Sequence, residues 1–141
     1  MVLPSGSVVQ APRGRILFVE DDLDTRDLVY FLLRDAGYET SIASSLNEGL
    51  RLVKDGSFDL ILLDWFFGDG TGVELCELIR AHGSSTPIFF YTGVSYKTEL
   101  SKAIRAGAQG CFIKPVDCTE LLRAISLQLT DDISYGEEKR G

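Results

Sequence analysis

Asp59-Leu60-Ile61-Leu62-Leu63-Asp64 sets four consecutive apolar residues between two carboxylates. Four residues are too few for a helix with a face to bury, and apolar side chains at successive positions mark a strand covered on both sides. Asp64 then stands where the chain leaves the core. Working outward, similar short runs recur at residues 16–19, 40–43, 88–91 and 111–113. The run at 40–43 is the most polar of the five and is expected at a sheet edge.

The segments between the runs carry helix signals. Ser45-Leu46-Asn47-Glu48 and Asp117-Cys118-Thr119-Glu120 each place a glutamate three residues after a capping side chain. Asp69 or Thr71 can cap a third helix and Ser95 a fourth. Leu121, Leu122, Ile125 and Leu129 form a one-sided stripe on the last helix. Gly37, Gly56 and Gly107 fall near helix ends, where a left-handed residue closes the final turn at little cost. Strand–helix alternation with short connections gives parallel strands and right-handed crossovers. The expected fold is a doubly wound α/β sandwich of five strand–helix units over residues 14–130. A Pro-, Gly- and Ser-rich leader precedes it at 1–13, and a charged tail follows at 131–141.

The totals exclude several functions. With 141 residues, 45% of them hydrophobic and 25% charged, the chain suits one globular domain. A formal net charge of −7 opposes a general grip on nucleic acid or on an anionic membrane. No apolar run approaches the roughly 18 residues of a bilayer span. Residues 1–14 lack the pattern of a secretory signal. Cys76, Cys111 and Cys118 show no metal-ligand spacing and His82 is the single histidine. Neither a zinc site nor a disulfide framework is expected, and a reducing cytoplasm is the simplest compartment.

In doubly wound sheets, ligands bind beyond the carboxyl ends of the strands. The first strand ends in Glu20-Asp21-Asp22, the third in Asp64, the fourth in Thr92 and the fifth in Lys114-Pro115. A single carboxylate in such a place is ordinarily a cap or turn residue. Several on one edge repel one another unless a cation neutralises them. An all-oxygen set suits Mg²⁺, with carboxylates from Glu20, Asp21 and Asp64 and the backbone carbonyl of Phe66. Asp64 is then a candidate nucleophile for an aspartyl phosphate. Lys114 and the Thr92 hydroxyl would spread the charge of the transferred group.

Glu20-Asp21, Asp64, Thr92 and Lys114-Pro115 resemble, in order and spacing, the response-regulator receiver domains of two-component systems. Asp59 to Asp64 followed by Gly68-Asp69-Gly70-Thr71-Gly72 is similar to that family's phosphoacceptor loop. Ala106-Gly107-Ala108-Gln109-Gly110-Cys111-Phe112-Ile113-Lys114-Pro115 is similar to its fifth-strand signature. The resemblance implies a flavodoxin-like parallel sheet of order 2-1-3-4-5. It also implies a phosphoryl group taken by Asp64 from a histidine kinase or phosphotransfer protein, with Thr92 and Lys114 as the switch. The output would pass through the face of the fourth helix, fifth strand and fifth helix to a protein target, and the same face would serve a homodimer. The chain is then no enzyme beyond its own phosphorylation and dephosphorylation. It acts alone or as part of a longer regulator.

Four positions depart from the family. Cys111 stands where many receivers carry the aromatic residue that moves with the threonine, and a thiol cannot fill or vacate that pocket as a ring does. Gly68 stands where proline commonly stiffens the acceptor loop. Phe66 and Val94, two residues beyond Asp64 and Thr92, offer no polar group to orient hydrolytic water, so the phosphate should be lost slowly. Cys111 and Gly68 motivate an alternative in which the domain signals by interaction without phosphorylation. Phe66, in place of a second acid, argues against a phosphatase. Trp65, Phe89, Phe90 and Tyr91 suit packing beside the sheet, and His82 suits an exposed helix end.

Overall fold

Each apolar run becomes a strand. The computed structural model describes residues 11–93, 97–114 and 118–140, and of 131–140 the backbone alone. In chain order its elements are β1 (Arg15–Val19), α1 (Leu23–Asp35), β2 (Glu39–Ala43), α2 (Leu46–Asp55), β3 (Leu60–Leu63), β4 (Phe66–Phe67), β5 (Gly70–Thr71), α3 (Gly72–Ala81), β6 (Ile88–Thr92), α4 (Lys97–Ala106), β7 (Gly110–Ile113) and α5 (Cys118–Arg140). Five strands pair in the order β2-β1-β3-β6-β7, which is 2-1-3-4-5 among the strands of that sheet. Every pairing in it is parallel.

Strand side chains alternate between two helical layers. Leu17, Val19, Ile61, Leu63 and Phe90 share one core cluster with residues of α2, α3 and α4. Ile16, Phe18, Leu60, Leu62, Phe89 and Tyr91 share the other with residues of α1 and α5. Both faces are therefore dry, as a strand without polar alternation requires, and each buried Leu or Ile contributes roughly 1.5–3 kcal/mol.

β2 lies at a sheet edge as expected. β7 forms the opposite edge and is half-buried along its length, where cover on both faces was expected, because an edge strand has a neighbour on one side only. Gly37 and Gly107 are left-handed, at φ 99° and 113°. Gly56 is not: its φ is −132°, and α2 closes by the Gly56 N–H donating to the Leu52 carbonyl. The β4–β5 pair is a two-residue antiparallel ladder outside the main sheet, too short to leave a pattern in the sequence. α5 continues through 131–140, where strong helix formers such as Glu137, Glu138, Lys139 and Arg140 extend a helix that needs no apolar stripe there. The expected capping residues Ser95 and Asp117, together with Pro115 and Val94, lie outside the described residues.

Candidate functional site

Strand alternation explains why the chemistry converges. Glu20 continues the face of Ile16 and Phe18, Asp64 that of Leu60 and Leu62, and Lys114 that of Phe112. Parallel-ladder hydrogen bonds run on past the strand ends. The Glu20 N–H donates to the Ala43 carbonyl at 3.0 Å, that of Asp64 to Val19 at 3.1 Å, and that of Lys114 to Thr92 at 2.7 Å. All three side chains thus leave one edge of the sheet on its α1/α5 side.

There they touch. The Lys114 Nζ lies 2.7 Å from Glu20 Oε1 and 3.5 Å from Asp64 Oδ2. Glu20 is fully buried, and its second oxygen accepts from the Asp22 N–H at 3.2 Å. Asp64 Oδ1 accepts from the Trp65 N–H at 2.7 Å. Carboxylate oxygens of Glu20, Asp21 and Asp64 lie within 4.8 Å of one another. Burial first, and then the adjacent Asp64 carboxyl, push the Glu20 pKa up to about 7 against the opposing pull of Lys114. Burial alone would lower the Lys114 pKa, but the hydrogen bond to Glu20 and the charge of Asp64 override it and leave it raised. Three carboxylates meet one ammonium there, so a single cation does not neutralise the cluster. An all-oxygen set short of positive charge fits a hard divalent ion.

The remaining expected residues fall around this centre. Thr92 is buried at the end of β6, its carbonyl receiving the Lys114 N–H. Phe66 opens β4 and is 60% exposed, an apolar residue facing solvent two positions beyond Asp64. Cys111 pairs with Phe90 in the sheet and packs against the α2–α4 cluster, where burial raises its thiol pKa. Trp65 packs, buried, with its ring 5.4 Å from that of Phe90. His82 is the exposed residue that closes α3.

Some roles could not be read in advance. Asp22 caps α1, accepting from the Thr25 N–H at 2.9 Å and its hydroxyl at 2.7 Å. Thr71 caps α3, whereas Asp69 reaches back to α2 and accepts from the N–H groups of Leu46 at 2.8 Å and Asn47 at 3.0 Å. Gly72, the first residue of α3, lies so close to the end of β3 that a Cβ would stand 2.1 Å from the Asp64 carbonyl oxygen. Tyr91 offers its ring to Lys114, with 5.5 Å between Nζ and the ring centroid. The available signal was an aromatic side chain directly before Thr92, on the strand beside the one that ends in Lys114.

Comparison with known proteins agrees with this geometry. The family model of the response regulator receiver domain matches residues 16–126. The chain is 38% identical over 125 residues to the uncharacterised transcriptional regulatory protein YrkP of Bacillus subtilis, covering 89% of this chain and 53% of that protein. It is 32% identical over 114 residues to the transcriptional regulatory protein DltR of Streptococcus agalactiae, covering 81% and 51% respectively. The chain thus spans about half the length of these curated relatives. A CheY-like receiver domain from Methanospirillum hungatei superposes with a TM-score of 0.80 at 31% identity, covering 90% of this chain and 98% of that structure. No helix among the described residues is long and apolar enough to cross a membrane.

Proposed function

This chain belongs to the response regulator receiver domain family of two-component systems, and from that premise we propose that Asp64 accepts a phosphoryl group and that the domain switches its protein contacts accordingly. The observation that carries the proposal is a strand-end carboxylate 3.5 Å from an ammonium, inside a trio of carboxylates short of positive charge. An Asp64 oxygen attacks the phosphorus of a phosphohistidine or a small acyl phosphate. The P–O bond to Asp64 forms as the bond to the donor breaks, and the donor departs with its electron pair. Glu20, Asp21 and Asp64, with the Phe66 carbonyl, would hold Mg²⁺, which when bound neutralises and orients the phosphoryl oxygens. Lys114 is already at the acceptor and meets the new charge without travelling far. The Thr92 hydroxyl, at the end of the neighbouring strand, is the second group offered to that charge. The donor is a histidine kinase or phosphotransfer protein in the cytoplasm, and the output passes through the α4–β7–α5 face. The chain catalyses no reaction on another substrate.

The test is incubation with Mg²⁺ and a small acyl phosphate, read by mass. One phosphoryl group is expected on the wild type and none on Asp64→Asn. Equal labelling of both proteins, or a folded, Mg²⁺-binding wild type that stays unlabelled, would remove the assignment. The exposed Phe66 ring offers no hydrogen bond to a hydrolytic water, so the label should decay slowly. Substituting Phe66→Asn is expected to speed that decay about 10-fold, less than the effect of a general base because an amide can orient the water but not take its proton. Identical decay of the two proteins would clear Phe66 of the role.

A further inference from the structure

We propose that Tyr91 is a positioning residue for Lys114, its ring face fixing the ammonium between the two carboxylates; the consequence for phosphoryl transfer rests on the acceptor role of Asp64 argued above. Three groups surround Nζ: Glu20 Oε1 at 2.7 Å, Asp64 Oδ2 at 3.5 Å and the Tyr91 ring centroid at 5.5 Å. Nζ donates to Glu20 and stands at ion-pair distance from Asp64, and the ring is the third attraction that holds it at this spot. A cation over an aromatic face is attracted by the ring quadrupole within about 6 Å, more strongly where water is excluded.

The sheet supplies the geometry. Tyr91 pairs with Phe112 in the β6–β7 ladder, and Lys114 lies two residues beyond Phe112, on the same face and one pleat further along. The ladder therefore sets Nζ over the tyrosine ring as well as beside the carboxylates. Tyr91 is buried among Phe89, Leu121 and neighbouring side chains, which hold its ring in place. An aliphatic residue would fill the same space without attracting the charge.

The test pairs a spectroscopic readout with a rate on the full chain. In protein free of metal and donor, the Lys114 ε-methylene protons are expected to show a ring-current upfield shift in wild type and in Tyr91→Phe. The shift should vanish in Tyr91→Leu. Phosphate incorporation from a small acyl phosphate is expected to slow about five-fold in Tyr91→Leu and to recover in Tyr91→Phe, the change a partly exposed cation–π contact supports. The proposal is overturned if the wild-type ε-protons show no ring-current shift, or if Phe and Leu slow the reaction equally. A wild type that takes no phosphate would sink the acceptor role of Asp64, and the ring-current arm would still decide where Lys114 is held. Loss of folding in Tyr91→Leu leaves the decision to the wild-type and Tyr91→Phe spectra.

Discussion

Gly72→Ala is expected to destabilise the domain by about 3 kcal/mol, at the upper end of the range for an overpacked core. The added Cβ would lie 2.1 Å from the Asp64 carbonyl oxygen and 2.7 Å from Phe90 Cε1. Neither neighbour can yield easily. The Asp64 amide is engaged in the ladder with Val19, and Phe90 is a fully buried strand residue. The start of α3 is itself tied down by the Gly72 N–H donating to the Trp65 carbonyl at 2.7 Å. Relief therefore requires α3 to move off the acceptor loop, so phosphate incorporation should fall together with stability. Gly68→Ala is the control, because a Cβ there has no atom within 4 Å, and a change within about 0.5 kcal/mol is expected. Urea unfolding of the three proteins decides the matter. A Gly72→Ala midpoint equal to that of Gly68→Ala would mean the close approach is not real.

Lys114→Met should act twice, on rate and on the pH dependence of stability. Removing one preorganised cation from a developing charge typically costs about 100-fold, and phosphate incorporation is expected to fall by that order. The second effect concerns Glu20. In the wild type its pKa stands at about 7, above its ordinary 4.5. The folded state therefore binds the proton more tightly than the unfolded chain does, and this contribution to stability is complete below about pH 4.5. It is lost as pH rises to 7, by about 3 kcal/mol in all, and is constant beyond. Without Lys114 the buried carboxylate loses its counter-charge, its pKa climbs further, and the loss extends above pH 7. The variant should thus lie close to wild type near pH 5 and fall up to about 1.4 kcal/mol below it at pH 8, the loss that one further pH unit brings. Urea midpoints at the two pH values, without divalent ions, give the answer. A difference independent of pH would show that Glu20 does not depend on Lys114.

Much of this was legible in the residues because buried parallel strands announce themselves. The run from Leu60 to Leu63 needs no partner to be recognised, and the polar groups directly after such runs are confined by topology to one edge. Glu20, Asp64 and Lys114 could therefore be placed together before any coordinate was known, and the structure brings them into contact. What stayed hidden depends on fine register or on distant pairing. Asp69 looks like a local cap, yet it serves a helix more than twenty residues earlier, a choice set by how the β4–β5 ladder turns the loop. Tyr91 reads as packing, which it is, and only the pairing of β6 with β7 reveals the charge above its ring. Gly56 looked like a left-handed terminator because glycine after a helix usually is one; here the chain simply leaves extended toward β3.

The ion pair between Glu20 and Lys114 closes over 94 positions of chain. Contacts that distant form late, since the entropy of closing so long a loop must be met before the pairing can repay it. Glu20 directly follows β1, and Lys114 directly follows β7, the last strand of the sheet. On a ribosome, the acidic half of the pocket is made long before its cation emerges. A partly synthesised domain thus presents Asp64 with no counter-charge beside it, and the complete cluster arrives together with the strand that leads into Lys114.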